Sequence, residues 1–284
     1  MKYTAIRFLA AGLLFSGVSL IQAQSPEPSR ILRVFREDIK SGKGSAHERA
    51  ESAFARAFAK SGYPAYIGMD AMTGPTQAWF LERYDSYESM EKAMKMSQAE
   101  PLKTTLSQLD AQDGELRSSE RNMIATYQKD MSYLPAPPLG AKARFYNITT
   151  IRVRPGHAED FAEMRKLSNG AFAKTGTKRR FVVYSVSSGA PAGTYLILSA
   201  FDSLKALDPP PTPMTMREAF GADNQARYLK LQSDIVISTE NALFAINPKM
   251  SNPPKEYLTT DADFWAPRPK PAAAKPATSP AGQQ

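Results

Sequence analysis

Cysteine is absent from the 284-residue chain, and histidine occurs only twice, as His47 and His157. Without cysteine the chain forms no disulfide, no thiolate metal site and no cysteine nucleophile. Two histidines are too few for a multi-histidine metal centre, and no metal site is predicted. The sequence also lacks a Gly-x-Ser-x-Gly elbow, a Walker A loop and a dinucleotide-binding glycine motif. No catalytic residue can therefore be assigned from a motif.

The excess of basic residues is concentrated at the two ends of the chain. The formal charge is +8, but Lys2 and Arg7 lie in the first 23 residues, and Arg268, Lys270 and Lys275 lie in the last 19. The region between them carries only +3, which is too small an imbalance to indicate nucleic-acid binding. No nucleic-acid partner is predicted.

The N-terminal 23 residues have the pattern of a secretory signal peptide. Lys2 and Arg7 provide a basic start, an apolar run covers 8–21, and Ile21-Gln22-Ala23 is a suitable cleavage site. The apolar run is shorter than the roughly 20 residues that span a bilayer. We predict a signal peptide over 1–23 and a periplasmic or secreted mature protein without a transmembrane segment. An uncleaved N-terminal anchor is the alternative.

The C-terminal segment 266–284 is rich in proline and alanine. Such a composition cannot bury a core, which predicts a disordered tail. Contact between its lysines and a cell-envelope polymer is the alternative function for this segment.

The middle of the chain contains an internal repeat. The segment AFAKSG at 57–62 matches AFAKTG at 171–176, and the same offset of 114 relates Gly42 to Gly156. Further on, YDSY at 84–87 matches FDSL at 201–204. Several matches in the same order indicate a duplication. We place the first repeat at 30–134 and the second at 144–250.

Each repeat has the predicted order strand, helix, strand, strand, helix, strand, which is typical of a ferredoxin-like βαββαβ unit. Strands over 31–39 and 145–154 precede helices over 45–60 and 158–174, which end at glycines. A four-stranded sheet with both helices on one side leaves its other face bare. The predicted fold class is therefore α+β, with two tandem ferredoxin-like units packed sheet-to-sheet as an intrachain pseudo-dimeric α/β barrel.

The duplicated βαββαβ unit, the turns at Gly42 and Gly156 and the Phe-Ala-Lys-(Ser/Thr)-Gly helix ends resemble the dimeric α/β-barrel superfamily. This superfamily includes NIPSNAP-type proteins and antibiotic-biosynthesis monooxygenases, and the resemblance covers about 30–250. It implies the barrel fold. The functions it implies range from cofactor-free oxygenation and haem breakdown to stress-related binding, so the resemblance does not select one.

The first strand of each repeat provides candidate pocket residues. Val34 and Ile148 align, and we place their side of the strands against the helices. The opposite side, with Arg33, Phe35 and Glu37, then points into the barrel. Buried arginine and glutamate need partners, so they either pair with each other or contact a polar ligand. A register error of one residue would invert this assignment.

His47 lies at the start of the first helix and aligns with Phe161, which favours packing beneath the helix. The alternatives are a pocket base or a haem ligand. Further candidates on predicted strands are Tyr66, Asp70, Trp79, Arg83 and Tyr184. Together these residues would form an aromatic pocket with one carboxylate and one guanidinium, which suits a small amphiphilic ligand. Since the second repeat has mostly neutral residues at the equivalent positions, the first repeat is expected to carry the site.

Three functions remain open at this point. The first is an exported protein that binds a small, partly apolar ligand in the central barrel. The second is a cofactor-independent oxygenase or a haem-modifying enzyme; no cofactor is predicted, with haem as the alternative. The third is a structural envelope protein, which a filled apolar barrel would favour. A small molecule and a second copy of the chain are the partners considered.

Overall fold

The computed structural model describes residues 27–208 and 214–266. The predicted signal peptide, the prolines at 209–213 and all of the predicted tail except Ala266 lie outside the described residues. The signal peptide and the disordered tail therefore stay predictions. No helix in the described ranges combines the length and the apolar composition that a membrane crossing requires.

Both repeats contain strands and helices in the expected order. The first repeat consists of β1 (Ile31–Ile39), α1 (Gly44–Ser61), β2 (Tyr66–Ala71), β3 (Gln77–Tyr84), α2 (Tyr87–Ser97), α3 (Leu102–Asp113) and β4 (Arg117–Tyr127). The second consists of β5 (Phe145–Val153), α4 (Ala158–Thr175), β6 (Val182–Ser188), β7 (Thr194–Phe201), α5 (Met216–Phe220), α6 (Ala222–Ile235) and β8 (Val236–Ile246). The short helices α7 (Lys255–Thr260) and α8 (Ala262–Trp265) follow.

Several predicted boundaries differ from the structure. The sequence pattern predicts one helical region over about 86–112, and the structure divides it at Pro101, which immediately precedes α3, because proline lacks the N–H that a continuous helix requires. The pattern also predicts the last strands over 122–127 and 241–246, and the structure begins them about five residues earlier, at Arg117 and Val236. Gly62 and Gly176 end α1 and α4 as predicted, with left-handed φ angles of 73° and 68°.

The strands form one closed barrel in the order β1-β3-β2-β8-β5-β7-β6-β4. Within each repeat the strands pair antiparallel in the ferredoxin-like order, and the repeats join through β2–β8 and β4–β6. Closure leaves no sheet edge unpaired. The predicted pseudo-dimeric α/β barrel is therefore confirmed, with the helices outside it.

Apolar side chains from all eight strands pack together inside the barrel as one core. Val34 and Ile148 belong to this core, so the prediction that they face the helices is wrong. Arg33, Phe35 and Glu37 lie on the outer face, where Glu37 contacts α1. Both faces of β1 are buried, one by the barrel core and one by helices. Alternation of apolar residues therefore could not distinguish the two faces.

Residues beyond β8 cover one end of the barrel core. Trp265 of α8 is 4% exposed and packs in the same core as the strands. Its Nε1 donates a hydrogen bond of 2.8 Å to the carbonyl oxygen of Ala141. Arg144 lies over the Phe264 ring at 3.9 Å and pairs with Asp261. The linker between the repeats and the C-terminal helices thus hold this end together.

The segment 247–252 returns from β8 to the first repeat. Ser251 accepts a hydrogen bond of 2.9 Å from the Gly68 backbone N–H, and Asn252 pairs with Tyr66 of β2. A Cβ atom at Gly68 would lie 2.7 Å from the carbonyl oxygen of Met250. The close approach therefore requires glycine at this position. Through these contacts, the end of the second repeat packs against the outer face of the first.

Candidate functional site

The cavity of the first repeat lies between the outer face of its sheet and helices α1 and α3. Its volume is about 170 Å³, and one side is open. Its apolar walls are formed by Phe35, Phe54, Phe58 and Phe80. Its polar lining residues are Glu37, Glu51, Tyr66, Glu82, Asp110, Arg117 and Glu120. The sequence prediction placed the ligand pocket inside the barrel, on the opposite side of the sheet from this cavity, and that placement stays a prediction.

A histidine–glutamate pair lies at the polar end of the cavity. β1 directs Glu37 outward, and the first turn of α1 places His47 above it. The Nε2 atom of His47 lies 2.7 Å from Glu37 Oε2 and 3.8 Å from Asp113 Oδ1. His47 is 1% exposed, so it packs beneath the helix as its apolar counterpart Phe161 suggested, and its polar edge contacts carboxylates.

Arg117 at the start of β4 connects the carboxylates of this end. Its Nη1 donates a hydrogen bond of 3.0 Å to Glu37 Oε1, and its Nε lies 2.9 Å from Asp113 Oδ2. Asp110 and Glu120 also contact the guanidinium, from more exposed positions. One arginine is thus shared among several carboxylates, of which Glu37 and Asp113 are buried.

Glu51 follows His47 by one helical turn and faces the same carboxylates. Burial raises the pKa of Glu51 well above its ordinary value, and the negative charges of Glu37 and Asp113 raise it further. Burial also raises the pKa of Asp113, although His47 and Arg117 offset part of that effect. The polar end therefore concentrates negative charge where water cannot stabilise it.

A second group of polar side chains surrounds Glu82 on β3. Its carboxylate accepts hydrogen bonds from the hydroxyls of Tyr63 at 3.1 Å and Tyr84 at 2.9 Å. Arg33 is 3.4 Å from the same carboxylate. Burial, followed by the charge of Glu82, raises the pKa of Tyr63 to about 12. Burial raises the pKa of Glu82 itself despite these partners.

The raised pKa of Glu82 makes the free energy of unfolding depend on pH. The unfolded chain loses this proton near the ordinary value of 4.5, before the folded chain does. The contribution of Glu82 to stability is therefore largest below that pH and declines as pH rises towards the folded-state pKa. We expect the stability of Glu82→Gln relative to the wild type to increase from pH 4 to pH 7 in urea unfolding. A difference that stays constant with pH would contradict this.

Tyr66 contributes an unpaired hydroxyl to the cavity. The residue is 4% exposed, and its hydroxyl has no hydrogen-bond partner among residues 27–208 and 214–266. Burial and the nearby charge of Glu51 raise its pKa well above the ordinary value. Its ring packs edge-on against Phe58 and Phe80, which holds the hydroxyl at the cavity lining.

The predicted pocket residues do not form one pocket. Glu37 and Tyr66 line the cavity. His47 and Arg33 do not line it, but they contact the lining residues Glu37 and Glu82, respectively. Asp70 instead accepts a hydrogen bond of 2.8 Å from Asn247.

The other three predicted residues, Trp79, Arg83 and Tyr184, lie on the barrel side of the sheet. Trp79 packs on Phe244, Arg83 donates a hydrogen bond of 2.9 Å to the Tyr146 hydroxyl, and the Tyr184 hydroxyl donates to the Ser29 carbonyl oxygen. The sheet separates these side chains from the cavity, so a common pocket is excluded.

Sequence reasoning missed Glu51, Asp113 and Arg117. Glu51 could have been found, because it follows His47 by four residues and places a carboxylate on the buried face of α1. The sequence around Asp113 resembles a turn, and its partner Arg117 precedes the segment that was predicted as the last strand. Neither residue was therefore selected as a candidate. Their contact with Glu37 depends on how α3 packs, which the local pattern does not specify.

The second repeat has no equivalent polar cluster in the described part of the chain. Ile151 and Phe161 stand at the positions of Glu37 and His47 and belong to an apolar core with Val183 and Leu231. The buried polar cluster therefore belongs to the first repeat, and the expectation that this repeat carries the site stays a prediction.

Haem, the alternative cofactor, does not fit these residues. The Nε2 atom of His47 is directed at Glu37, and the polar part of the cavity lining consists mainly of carboxylates, which would repel the haem propionates. His157 instead pairs with Asp160 at 2.7 Å on the surface.

Comparisons with known proteins agree with this architecture. No protein-family model and no curated protein matches the sequence. An anthrone oxidase-like protein aligns with a TM-score of 0.53 and 14% identity over 78% of this chain and 92% of its own. A predicted monooxygenase of Fusobacterium nucleatum aligns with a TM-score of 0.50 and 11% identity over 77% and 93%. The chain has the dimeric α/β-barrel fold.

Other dimeric α/β barrels are more distant. A mutant chlorite dismutase from Candidatus Nitrospira defluvii aligns with a TM-score of 0.47 and 9% identity over 82% of this chain and 96% of its own. At such identities the likeness shows the fold alone. The NIPSNAP part of the predicted resemblance is not confirmed, and the homo-oligomer stays a prediction.

Proposed function

We propose that the cavity of the first repeat binds a small hydroxylated aromatic molecule and that the chain oxygenates it. This keeps the predicted partly apolar ligand but moves it from the central barrel to the space between sheet and helices. The observation that carries the proposal is the buried, unpaired hydroxyl of Tyr66 in a cavity with aromatic walls. A polar group in such a place is stabilised by a ligand that pairs with it.

The size of the cavity indicates one aromatic ring. An apolar cavity of about 150 Å³ in another protein accepts benzene, and this one measures about 170 Å³. The phenylalanines would stack against the ring. Tyr66 would donate a hydrogen bond to a ring oxygen, and Glu51, which lines the same cavity, would accept one from a ring hydroxyl.

The oxygenase class is supported by the partial enclosure of the ring and by the fold. The aromatic walls shield part of a bound ring from water, and dioxygen, which is small and apolar, can enter through the open side. Similar folds occur in an anthrone oxidase-like protein and in a predicted monooxygenase. With 1,4-dihydroxybenzene and O₂, the products would be hydroxybenzoquinone and water. One oxygen atom enters the ring, and the other leaves as water after the ring supplies four electrons.

Tyr66→Phe tests the binding part of the proposal. We expect phenol affinity, measured by calorimetry, to fall about tenfold, because one hydrogen bond is worth roughly 0.5–1.5 kcal/mol. The ligand-free variant should be more stable than the wild type by about 1 kcal/mol, because an unpaired buried hydroxyl is removed. Tyr195→Phe, a buried tyrosine of the second repeat, is the matched control and should leave phenol affinity unchanged. Equal phenol affinity in Tyr66→Phe and the wild type would overturn this site.

Labelled dioxygen tests the oxygenase part. With ¹⁸O₂ and 1,4-dihydroxybenzene, we expect one ¹⁸O atom per product by mass spectrometry and slower turnover in Tyr66→Phe. Binding of phenol together with unlabelled quinone and hydrogen peroxide would overturn oxygenation while leaving the binding site intact. In that case the chain binds the ring without inserting oxygen into it. The third alternative is a structural envelope protein, which the apolar core of the barrel favours. The absence of any phenol binding would support that alternative.

A further inference from the structure

We propose that Glu37, His47, Glu51 and Asp113 form a binding site for one divalent transition-metal ion. This inference goes beyond the proposed function and does not depend on an aromatic ligand. The sequence prediction found no metal site because it considered cysteine and histidine clusters, whereas these four residues come from β1, α1 and the end of α3. They become neighbours only when both helices pack on the outer face of the sheet.

The geometry of the four side chains suits a single ion. One ligand atom from each residue can be chosen so that all four lie within 4.8 Å of one another. Ligand atoms about 2.0–2.2 Å from a tetrahedral zinc-like ion are about 3.4 Å apart. Side-chain movements that shorten the longest of these separations by up to about 1.4 Å would therefore complete the site. The side chains sit on a strand and two helices, and all four residues are at most 7% exposed.

Asp113 provides a separate indication that a cation is required. It is 0% exposed, and neither carboxylate oxygen has a hydrogen-bond partner within the described part of the chain. Arg117 Nε approaches Oδ2 at 2.9 Å as an ion pair. The other oxygen, Oδ1, points towards His47 at 3.8 Å. A buried carboxylate with an unpaired oxygen directed into a group of ligands is stabilised by a bound metal ion.

The charges of the cluster match a divalent ion. Among the described residues, these three buried carboxylates share one arginine, Arg117, whose side chain is 12% exposed, so the ionised cluster has an excess of two negative charges. One divalent ion neutralises this excess. Asp110 and Glu120 also contact Arg117, but they are more exposed and are screened by water.

The ligand types restrict the metal. Carboxylate oxygens suit Mg²⁺, Ca²⁺ and Mn²⁺, whereas an imidazole nitrogen suits Zn²⁺ and iron. Three carboxylates with one imidazole therefore favour Mn²⁺, Fe²⁺ or Zn²⁺ over Ca²⁺ and Mg²⁺. The hydrogen bond between His47 Nε2 and Glu37 would be replaced by coordination of both groups to the ion.

Metal binding by the whole protein, without any aromatic ligand, tests this inference. The protein is freed of metal with EDTA, and Mn²⁺ and Zn²⁺ are titrated by calorimetry, with the bound amount measured by mass spectrometry. We expect one ion per chain. Glu51→Gln and His47→Gln should each weaken binding at least 100-fold. Glu82→Gln, the other buried carboxylate of the cavity, should leave metal affinity within about twofold of the wild type.

The outcomes separate this inference from the proposed function. If neither metal binds, or if Glu51→Gln and Glu82→Gln bind the metal as the wild type does, the metal site is overturned. A stoichiometric ion that Glu51→Gln loses and Tyr66→Phe retains supports the site, whatever the result with phenol. Phenol binding to the EDTA-treated protein is measured separately. The metal affinity of His47→Gln is interpreted only if its circular dichroism spectrum matches that of the wild type. If the spectra differ, the near-isosteric variant Glu51→Gln alone decides whether the metal site exists.

Discussion

Replacing Arg117 with methionine is expected to lower the free energy of unfolding by about 3–5 kcal/mol, the usual effect of removing one member of a buried ion pair. The guanidinium is shared by the buried carboxylates of Glu37 and Asp113. Methionine has a similar length but no charge, so both carboxylates would lose their arginine partner in a site that excludes water. Urea unfolding at pH 7 in EDTA measures the change.

Arg121→Met is the matched control for this prediction. Arg121 lies four residues after Arg117 in β4. Its side chain is 60% exposed, and its Nη2 is 3.4 Å from Asp38 Oδ2. Exposed ion pairs contribute at most about 1 kcal/mol, so this variant should be nearly as stable as the wild type. Equal stability losses in the two variants would show that the cluster does not depend on Arg117.

Replacing Trp265 with alanine is expected to cost about 3–5 kcal/mol of unfolding free energy, as large-to-small substitutions of buried tryptophan do. Trp265 is 4% exposed and fills the end of the barrel core. Its removal would leave a void next to the linker and leave the Ala141 carbonyl oxygen with only its hydrogen bond from Arg144. Denaturant unfolding followed by circular dichroism measures the loss.

Two further variants divide this effect into packing and hydrogen bonding. Trp265→Phe keeps most of the ring but loses the hydrogen bond to Ala141, so we expect an intermediate loss. Leu258→Ala lies in the same C-terminal region but is 38% exposed, and it should cost less than about 1 kcal/mol. A loss in Trp265→Ala no greater than that in Leu258→Ala would show that the C-terminal helices do not belong to the barrel core.

The fold could be predicted because the sequence contains two copies of the same βαββαβ pattern. The apolar spacing of α1 and α4 and the glycines that end them occur at one offset, and the strand patterns follow in the same order. Since a single unit cannot cover its sheet, pairing of the two units follows from the need to bury apolar surface. Strand ends were less accurate, because Arg117 and Val236 extend the pairing of the last strands by backbone hydrogen bonds.

The candidate site could be predicted only in part. Glu37 and His47 were selected because charged or polar residues were expected in buried positions, and both line or adjoin the cavity. The direction of Glu37 was wrong, since a strand buried on both faces carries no alternation signal. Asp113 and Arg117 could not be associated with them, because their contact depends on tertiary packing between α3, β4 and β1.

The return of segment 247–252 to the first repeat delays some of the packing around the cavity during protein synthesis. Tyr66 and Phe80 pack in one cluster with Met250, and Asn252 pairs with the start of β2. The ribosome makes the first repeat long before these residues appear. A nascent chain that stops after β4 lacks both this packing and the partner strands β8 and β6. Tyr66 and Phe80 therefore acquire their full packing only after the end of the second repeat has left the ribosome.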